Sequence, residues 1–289
     1  MIIVKLMGGM GNQAFQYAAG RRLAIKHKTI LKLDLTFLLD RTPRKNFTYR
    51  DYDLSIFNIQ ENFATDIDLR IFNLKRKFNT SLKLNKNILF VEKTKFKFDP
   101  EILKCKKDTY LDGSWQSEKY FKDIEKVIRK DFTFKHDLDY ESKKMAEKIK
   151  SINAICLNVR RGDYVSNPIA SKTQGVCSLD YYHRGIEYIV DRISNPHFLI
   201  FSDDIGWCKN NFNIHYPFTI VTHKYAGKKF ENYLKLMTLC KYYIIPNSTF
   251  GWWAAWLNTN PNKIVIAPKK WLNIDIETVD LLPDNWIKI

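Results

Sequence analysis

Two arginines, Arg160 and Arg161, follow directly on the apolar run Ala154–Val159. A guanidinium is a planar fork of donors that matches a phosphate bidentately. Two of them at one strand end suit a phosphorylated ligand. Neighbouring strand residues face opposite sides of a sheet, so one arginine meets the ligand and the other braces the loop, with Asp163 as its partner. A plain structural Arg–Asp pair uses the same residues. Asn247, Ser248 and Thr249 precede a helical pattern that begins near Phe250. Asn or Ser is a natural N-cap, and the free N–H groups of a helix N-terminus favour an anion. Arginines on one strand end and a helix N-terminus on another would make a metal-free diphosphate clamp. Asp203 and Asp204 fit a metal pair or a ribose or base contact. The motifs supply few further carboxylates, which favours nucleoside recognition. Asp163 is the candidate general base of this half, although a carboxylate among arginines holds its charge and is a weak base.

These residues sit where a particular set of elements would place them. Strand patterns at 154–159, 198–202, 219–222, 242–245 and 263–267 alternate with helical patterns at 179–193, 205–211, 230–240 and 250–258. Such alternation argues for a parallel, doubly wound sheet. Ligands of such sheets bind beyond the carboxyl ends of the strands. Arg160 to Asp163, Asp203-Asp204, His223 and Asn247 to Thr249 all fall at those ends. Trp252, Trp253 and Trp256 belong to a helix so aromatic that burial is expected.

The first half opens on a strand, Ile2–Leu6, then Gly8-Gly9-Met10-Gly11-Asn12-Gln13 and a helix to about Lys26, then a strand at 29–34. Gly9, Gly11 and Ala14 fit the dinucleotide fingerprint, and Asp34 stands where a ribose-binding acid would. One reading is therefore an NAD-dependent oxidoreductase. A second is a tight strand-to-helix turn. A third is a loop whose amides, Asn12 and Gln13 face a ligand across a cleft. Residues 36–108 show no firm period. A polar helix at 140–150 then leads into the second half, which places the domain boundary at 150.

Of the 289 residues, 45% are hydrophobic, too many for a disordered chain, and the length allows two domains. The net charge of +16 is uneven. Residues 1–150 carry 32 basic and 20 acidic groups, whereas 151–289 carry 15 and 11. Segment 70–107 alone has twelve basic residues and three acidic ones, grouped at 75–77, 93–97 and 104–107. A solvated face, a nucleic-acid or membrane-surface binding module, or contact with an acidic glycan would each use such a patch. No RNA-binding signature accompanies it. No apolar run approaches the length of a membrane span. The N-terminus lacks the longer apolar region of a signal peptide. Five widely spaced cysteines without a CxxC pair suit a reducing cytoplasm and argue against a structural zinc.

Four segments together resemble the bacterial α-1,2-fucosyltransferases of glycosyltransferase family 11. They are GGMGNQAFQYAAG at 8–20, GSWQSEKYF at 113–121, LNVRRGDYV at 157–165 and NSTFGWWAAWL at 247–257, with QGVCSLDYY at 174–182 and FSDDIGWCKNNF at 201–212 in support. The resemblance implies an α/β, GT-B-like architecture of two Rossmann-like domains facing across a cleft: residues 1–150 on the acceptor side and 151–289 binding the donor. It implies inverting transfer of L-fucose from GDP-fucose to O-2 of a sugar, usually a terminal galactose, with no required metal or other cofactor. By the same resemblance Arg160, with Arg161 beside it, contacts the diphosphate; Ser202, Asp203 and Asp204 lie near the guanosine; Asn247, Ser248, Thr249 and Phe250 lie against the phosphates; and Gly9, Gly11, Asn12 and Gln13 face the cleft. The family pattern often has His two residues before the first Arg, where this chain has Asn158. Asn can still hydrogen-bond a guanine but cannot titrate. A galactose-terminated, lipid-linked surface glycan is the implied acceptor. The basic first half is then better explained by an anionic cytoplasmic membrane than by nucleic acid.

Overall fold

The computed structural model describes residues 1–81, 89–93 and 96–289. The chain forms two compact units. One comprises Met1–Pro43, Tyr49–Lys135 and Glu277–Pro283, and the other Arg44–Thr48, His136–Ile276 and Asp284–Ile289. The division falls after Lys135 and not at 150. The helix at 140–151 is no free connector, because Met145, Ala146 and Ile149 are buried in the second unit. Asp139 caps its start through Ser142 N and also accepts from Asn232, 2.9 Å away.

The first unit runs β1 (Ile2–Lys5), α1 (Met10–Lys26), β2 (Leu31–Asp34), α2 (Thr36–Leu39), α3 (Asp66–Ser81), β3 (Leu89–Val91), β4 (Thr109–Asp112) and α4 (Glu125–Asp131). Its strands are all parallel, in the order β2-β1-β4-β3. Helix α1 lies so close to the sheet that a Cβ on Gly20 would stand 2.8 Å from Leu31 Cδ1 and 3.3 Å from Val4 Cβ. Buried Asp131 ties α1 to α4, accepting from Tyr17 Oη and Arg21 Nε at 2.8 Å each. Burial and the neighbouring carboxylate push the Tyr17 phenol well above its ordinary range.

The second unit runs α5 (Tyr140–Ser151), β5 (Asn153–Val159), α6 (Gly162–Ser166), α7 (Pro168–Thr173), α8 (Leu179–Val190), β6 (Pro196–Ser202), α9 (Ile205–Asn211), β7 (Phe218–Val221), α10 (Glu231–Thr238), β8 (Tyr242–Ile244), α11 (Thr249–Leu257), β9 (Val265–Ala267) and β10 (Ile287–Lys288). The five expected strands are present and parallel, and β10 extends the sheet to the order β10-β9-β8-β5-β6-β7. Central strands buried on both faces read as unbroken apolar runs, which is why β5 and β6 stand out in the sequence. Helix α11 is buried almost all round, and Trp252 stacks on Trp256 with ring centroids 6.1 Å apart. In each sheet the strand order reverses beside the first strand, between β1 and β4 and between β5 and β8. The crevice at such a reversal, beyond the carboxyl ends, is where open α/β sheets hold ligands.

Candidate functional site

At the β5–β8 reversal the chain leaves β5 through Arg160 and Arg161. The two side chains diverge, as strand alternation requires. Arg160 pairs with Asp163 and, through Nη1 at 2.8 Å, with Asp203, and its guanidinium lies over the Tyr164 ring at 5.2 Å. Arg161 Nε donates to Asp204 Oδ2 at 3.2 Å, and its guanidinium covers the Trp207 ring at 4.1 Å. Burial disfavours the Arg160 charge, but the carboxylates of Asp203 and Asp163 outweigh it and hold the guanidinium above its ordinary value. The Arg160 side chain is 27% exposed and that of Arg161 18%, so Arg160 is the more accessible of the two.

The Asp pair at the end of β6 organises this loop. Asp203 Oδ1 accepts from the Arg161 backbone N–H at 2.9 Å, and its Oδ2 faces Arg160 without a well-aligned hydrogen bond. Gly162 lets it approach, since a Cβ there would sit 2.4 Å from Asp203 Oδ2. Asp204 caps α9 by accepting from Trp207 N, and its own N–H donates to Ser202 Oγ, both at 2.9 Å. Both carboxylates thus have arginine partners, and no group of three His, Cys, Asp or Glu suited to a metal occurs among the described residues.

The Asn247 segment differs from its expected use. Asn247 Nδ2 donates to the carbonyls of Gln174 at 2.8 Å, Gly175 at 3.2 Å and Trp271 at 3.0 Å. Its Oδ1 lies 3.6 Å from Cys177 Sγ. The side chain is consumed in joining the 174–177 turn to the strand end, so it is not aimed at a phosphate. Ser248 holds the N-cap position of α11 without a side-chain capping bond; Thr249 and half-buried Phe250 begin the helix. Asn158 is buried, and its Nδ2 donates to Phe201 O at 3.1 Å. A Cβ on Gly251 would stand 2.7 Å from its Oδ1. Asn158 therefore wedges β5, β6 and the first turn of α11 together.

The first unit repeats this division of labour. Gly8 takes a φ of +75°, and a Cβ there would fall 2.3 Å from Asn12 Nδ2. Gly9 is the N-cap of α1 and Gly11 lies in its buried first turn. Asn12 Oδ1 accepts from Gln116 Nε2 at 3.0 Å, which brings the Gly loop and the 113–121 motif together at the β1–β4 reversal. Gln13 is fully buried. It donates to the carbonyls of Gly8 and Asp51 at 2.8 Å each and accepts from Asp53 N at 2.9 Å. Its amide fixes the 51–53 loop and presents nothing to a ligand. Asp34 is buried, with Oδ1 bound to Thr36 N and Oδ2 to the Tyr110 hydroxyl. At 2% exposure it is turned into the fold and away from any ribose, which argues against the acid of the dinucleotide fingerprint.

His223, expected at the end of β7, bonds Ser202 O through Nε2 at 3.0 Å. Other contributors escaped the sequence reading. Tyr164 and Trp207 lie under the arginines, and Tyr164 Oη also donates to Asn247 O at 3.2 Å. The carbonyls of 174–175 anchor Asn247. Tyr164 and Trp207 follow their Asp neighbours by one and three residues, which was a usable signal. Of the basic groups at 75–77 and 93–97, the Arg76 side chain, Thr94 and Lys95 lie outside the described residues.

Known proteins bear on this arrangement. The family model of Glycosyl transferase family 11 matches residues 1–289. An alpha-1,2-colitosyltransferase of Escherichia coli is 33% identical over 100% of this chain and 99% of its own. The O-antigen biosynthesis glycosyltransferase WbnK of Escherichia coli is 32% identical, covering 98% and 99%. A solved structure of a mutant of Arabidopsis thaliana FUT1 in complex with GDP superposes with a TM-score of 0.50 at 8% identity, over 91% of this chain and 69% of that one, a likeness of fold.

Proposed function

The chain belongs to glycosyl transferase family 11 over residues 1–289, and on that premise we propose that it transfers L-fucose from GDP-fucose, with inversion, to the 2-hydroxyl of an acceptor sugar. The acceptor is a terminal galactose of an O-antigen-type, lipid-linked glycan at the cytoplasmic face of a membrane. The observation that carries the reading is Arg160. It is a partly exposed guanidinium at the sheet's reversal point, its charge secured by two carboxylates and its plane backed by Tyr164.

In the reaction the acceptor oxygen bonds to the anomeric carbon while the bond from that carbon to the diphosphate breaks, its electron pair leaving with GDP. Positive charge grows on the sugar and negative charge on the diphosphate. A preorganised cation next to that oxygen lowers the barrier, and the positive end of the α11 dipole stands at the neighbouring strand end. Two guanidinium groups face three carboxylates at these strand ends. The diphosphate oxygens therefore compete with Asp163 for Arg160. Asp163, once released, is the carboxylate that takes the proton of the incoming hydroxyl. No metal is needed, since the charge on the leaving group is met by arginine.

The motif resemblance implies fucose, while the Escherichia coli relative is named for colitose. The test is incubation with GDP-fucose and with GDP-colitose over a panel of β-galactosides, followed by determination of the product linkage. Transfer from GDP-fucose to O-2 is expected. Transfer from GDP-colitose alone would move the assignment to that donor, and a product linked elsewhere than O-2 would end it.

A further inference from the structure

Helix α3 carries two opposed surfaces. Its inner side is anchored to the first unit by buried Phe72, whose ring lies 5.1 Å from that of Tyr110, and by Asp68, which pairs with Lys32 at 2.6 Å. Its other side is an aliphatic seam open to solvent: Ile67 is 67% exposed, Ile71 43% and Leu74 55%. Spacings of four and three residues put these side chains on one stripe. At 100° per residue, Arg70 and Lys77 flank the stripe on one side, with Asp66 beyond them, and Lys75, which pairs with Asp108 at 3.2 Å, on the other; all four helix residues are exposed. An aliphatic stripe with cations next to it is the pattern of a helix lying in a membrane interface.

We propose that α3 is the face by which this protein docks on an anionic lipid bilayer. Charge complementarity selects the occupant, because exposed Arg70, Lys75 and Lys77 border the seam. Single-stranded nucleic acid fits worse. It is held by aromatic rings on which bases stack, and the seam is Ile, Ile and Leu. A second copy of the chain fits worse too, since pairing two such seams about a two-fold axis sets like charges against each other. No described helix is long and apolar enough to cross a membrane, so the contact is with the surface. The inference does not depend on which sugar is transferred.

The experiment is co-sedimentation of the full chain with phosphatidylglycerol-containing vesicles and with pure phosphatidylcholine vesicles, at low and high salt. The wild type is expected to bind the anionic vesicles at least tenfold better and to be released by salt. The triple variant I67S/I71S/L74S should lose at least tenfold in partition while keeping the wild-type thermal midpoint. The double variant R70E/K77E should lose more, since each cation near an anionic surface is worth about fivefold. Equal binding to both vesicle types, or a triple variant that binds like wild type, overturns the proposal. So does a wild-type dimer that the triple variant converts to monomer, which would assign the seam to a second copy.

Discussion

Asn247 and Arg160 stand at neighbouring strand ends and do opposite jobs, and the difference lies in what surrounds each polar atom. The Asn247 amide is buried among three carbonyls that have it as a shared donor. Removing it strands those carbonyls in a low-dielectric site, where an unmet polar group costs about 1–3 kcal/mol. Asn247→Ala should therefore lower unfolding stability by about 2–4 kcal/mol, read from urea denaturation. An unchanged midpoint would show that water replaces the amide without loss. Arg160 is accessible and pre-charged, so its removal should act on rate. Arg160→Ala is expected to cut turnover by ~10²–10³ and to weaken GDP binding in calorimetry, and, because it leaves the largely buried Asp163 and Asp203 carboxylates without their cation, to lower the urea midpoint as well. Arg160→Lys should not restore activity, because an ammonium cannot span two carboxylates and a diphosphate in one plane. Wild-type transfer and GDP affinity in Arg160→Ala would remove Arg160 from the site.

The elements differ in how plainly they announce themselves. Helix α3 passed unread in the sequence because its outer stripe and its basic flanks confuse the usual one-sided pattern, although its start carries a reciprocal cap. Thr65 N and Oγ1 donate to Asp68 Oδ2 at 2.8 Å, while Asp68 N donates to Thr65 Oγ1 at 3.2 Å. Lys32 Nζ adds a third donor to that carboxylate. The Lys32 contact first, then the Thr65 amide, lowers the Asp68 carboxyl to about 2. A folded value below the unfolded one gives stability that is fully present above about pH 4 and is lost as the pH falls toward 2. Thermal midpoints of wild type and Asp68→Asn should differ at pH 6 and converge near pH 2. A constant gap across that range would mean that the carboxylate charge is not what holds the start of α3. Strand β4 was missed for a different reason. It has only four residues, and parallel pairing with β1 at Ile2–Thr109 and with β3 at Leu89–Tyr110 makes it a strand.

At the scale of the molecule, each unit builds its own parallel sheet, and each sheet reverses its order at one place. Binding that favours the folded state adds RT ln(1 + [L]/Kd), about 2.7 kcal/mol at a hundredfold excess over Kd. GDP should accordingly raise the thermal midpoint by several degrees. NAD(H) should not, because Asp34 is bound to Thr36 and Tyr110. The GDP shift and the transfer rate should both survive EDTA. A shift with NAD(H), or loss of transfer on chelation that a divalent cation restores, would point to another chemistry. The charge of +16 belongs to the molecule as a whole, yet it is concentrated away from the residues proposed to hold phosphate. Those residues work through position, and the surplus charge acts on larger anionic partners.

Read alone, the sequence determined the alternation of strand and helix in the second half, the burial of the Trp252–Trp256 helix, and the gathering of Arg160, Asp203 and Asn247 at strand ends. These follow from periodicity and from turn chemistry, which are local. Tertiary structure decided the rest. It set the strand order that brings β8 beside β5, the membership of 140–151 in the second unit, and the commitment of Asn247, Gln13 and Asp34 to inward hydrogen bonds. A polar side chain reads the same in sequence whether it meets a ligand or a buried carbonyl. Which one it meets depends on backbone groups far along the chain, such as Trp271 for Asn247 and Asp51 for Gln13. A buried donor must bond whichever acceptor the fold delivers, and only the packed sheets deliver it.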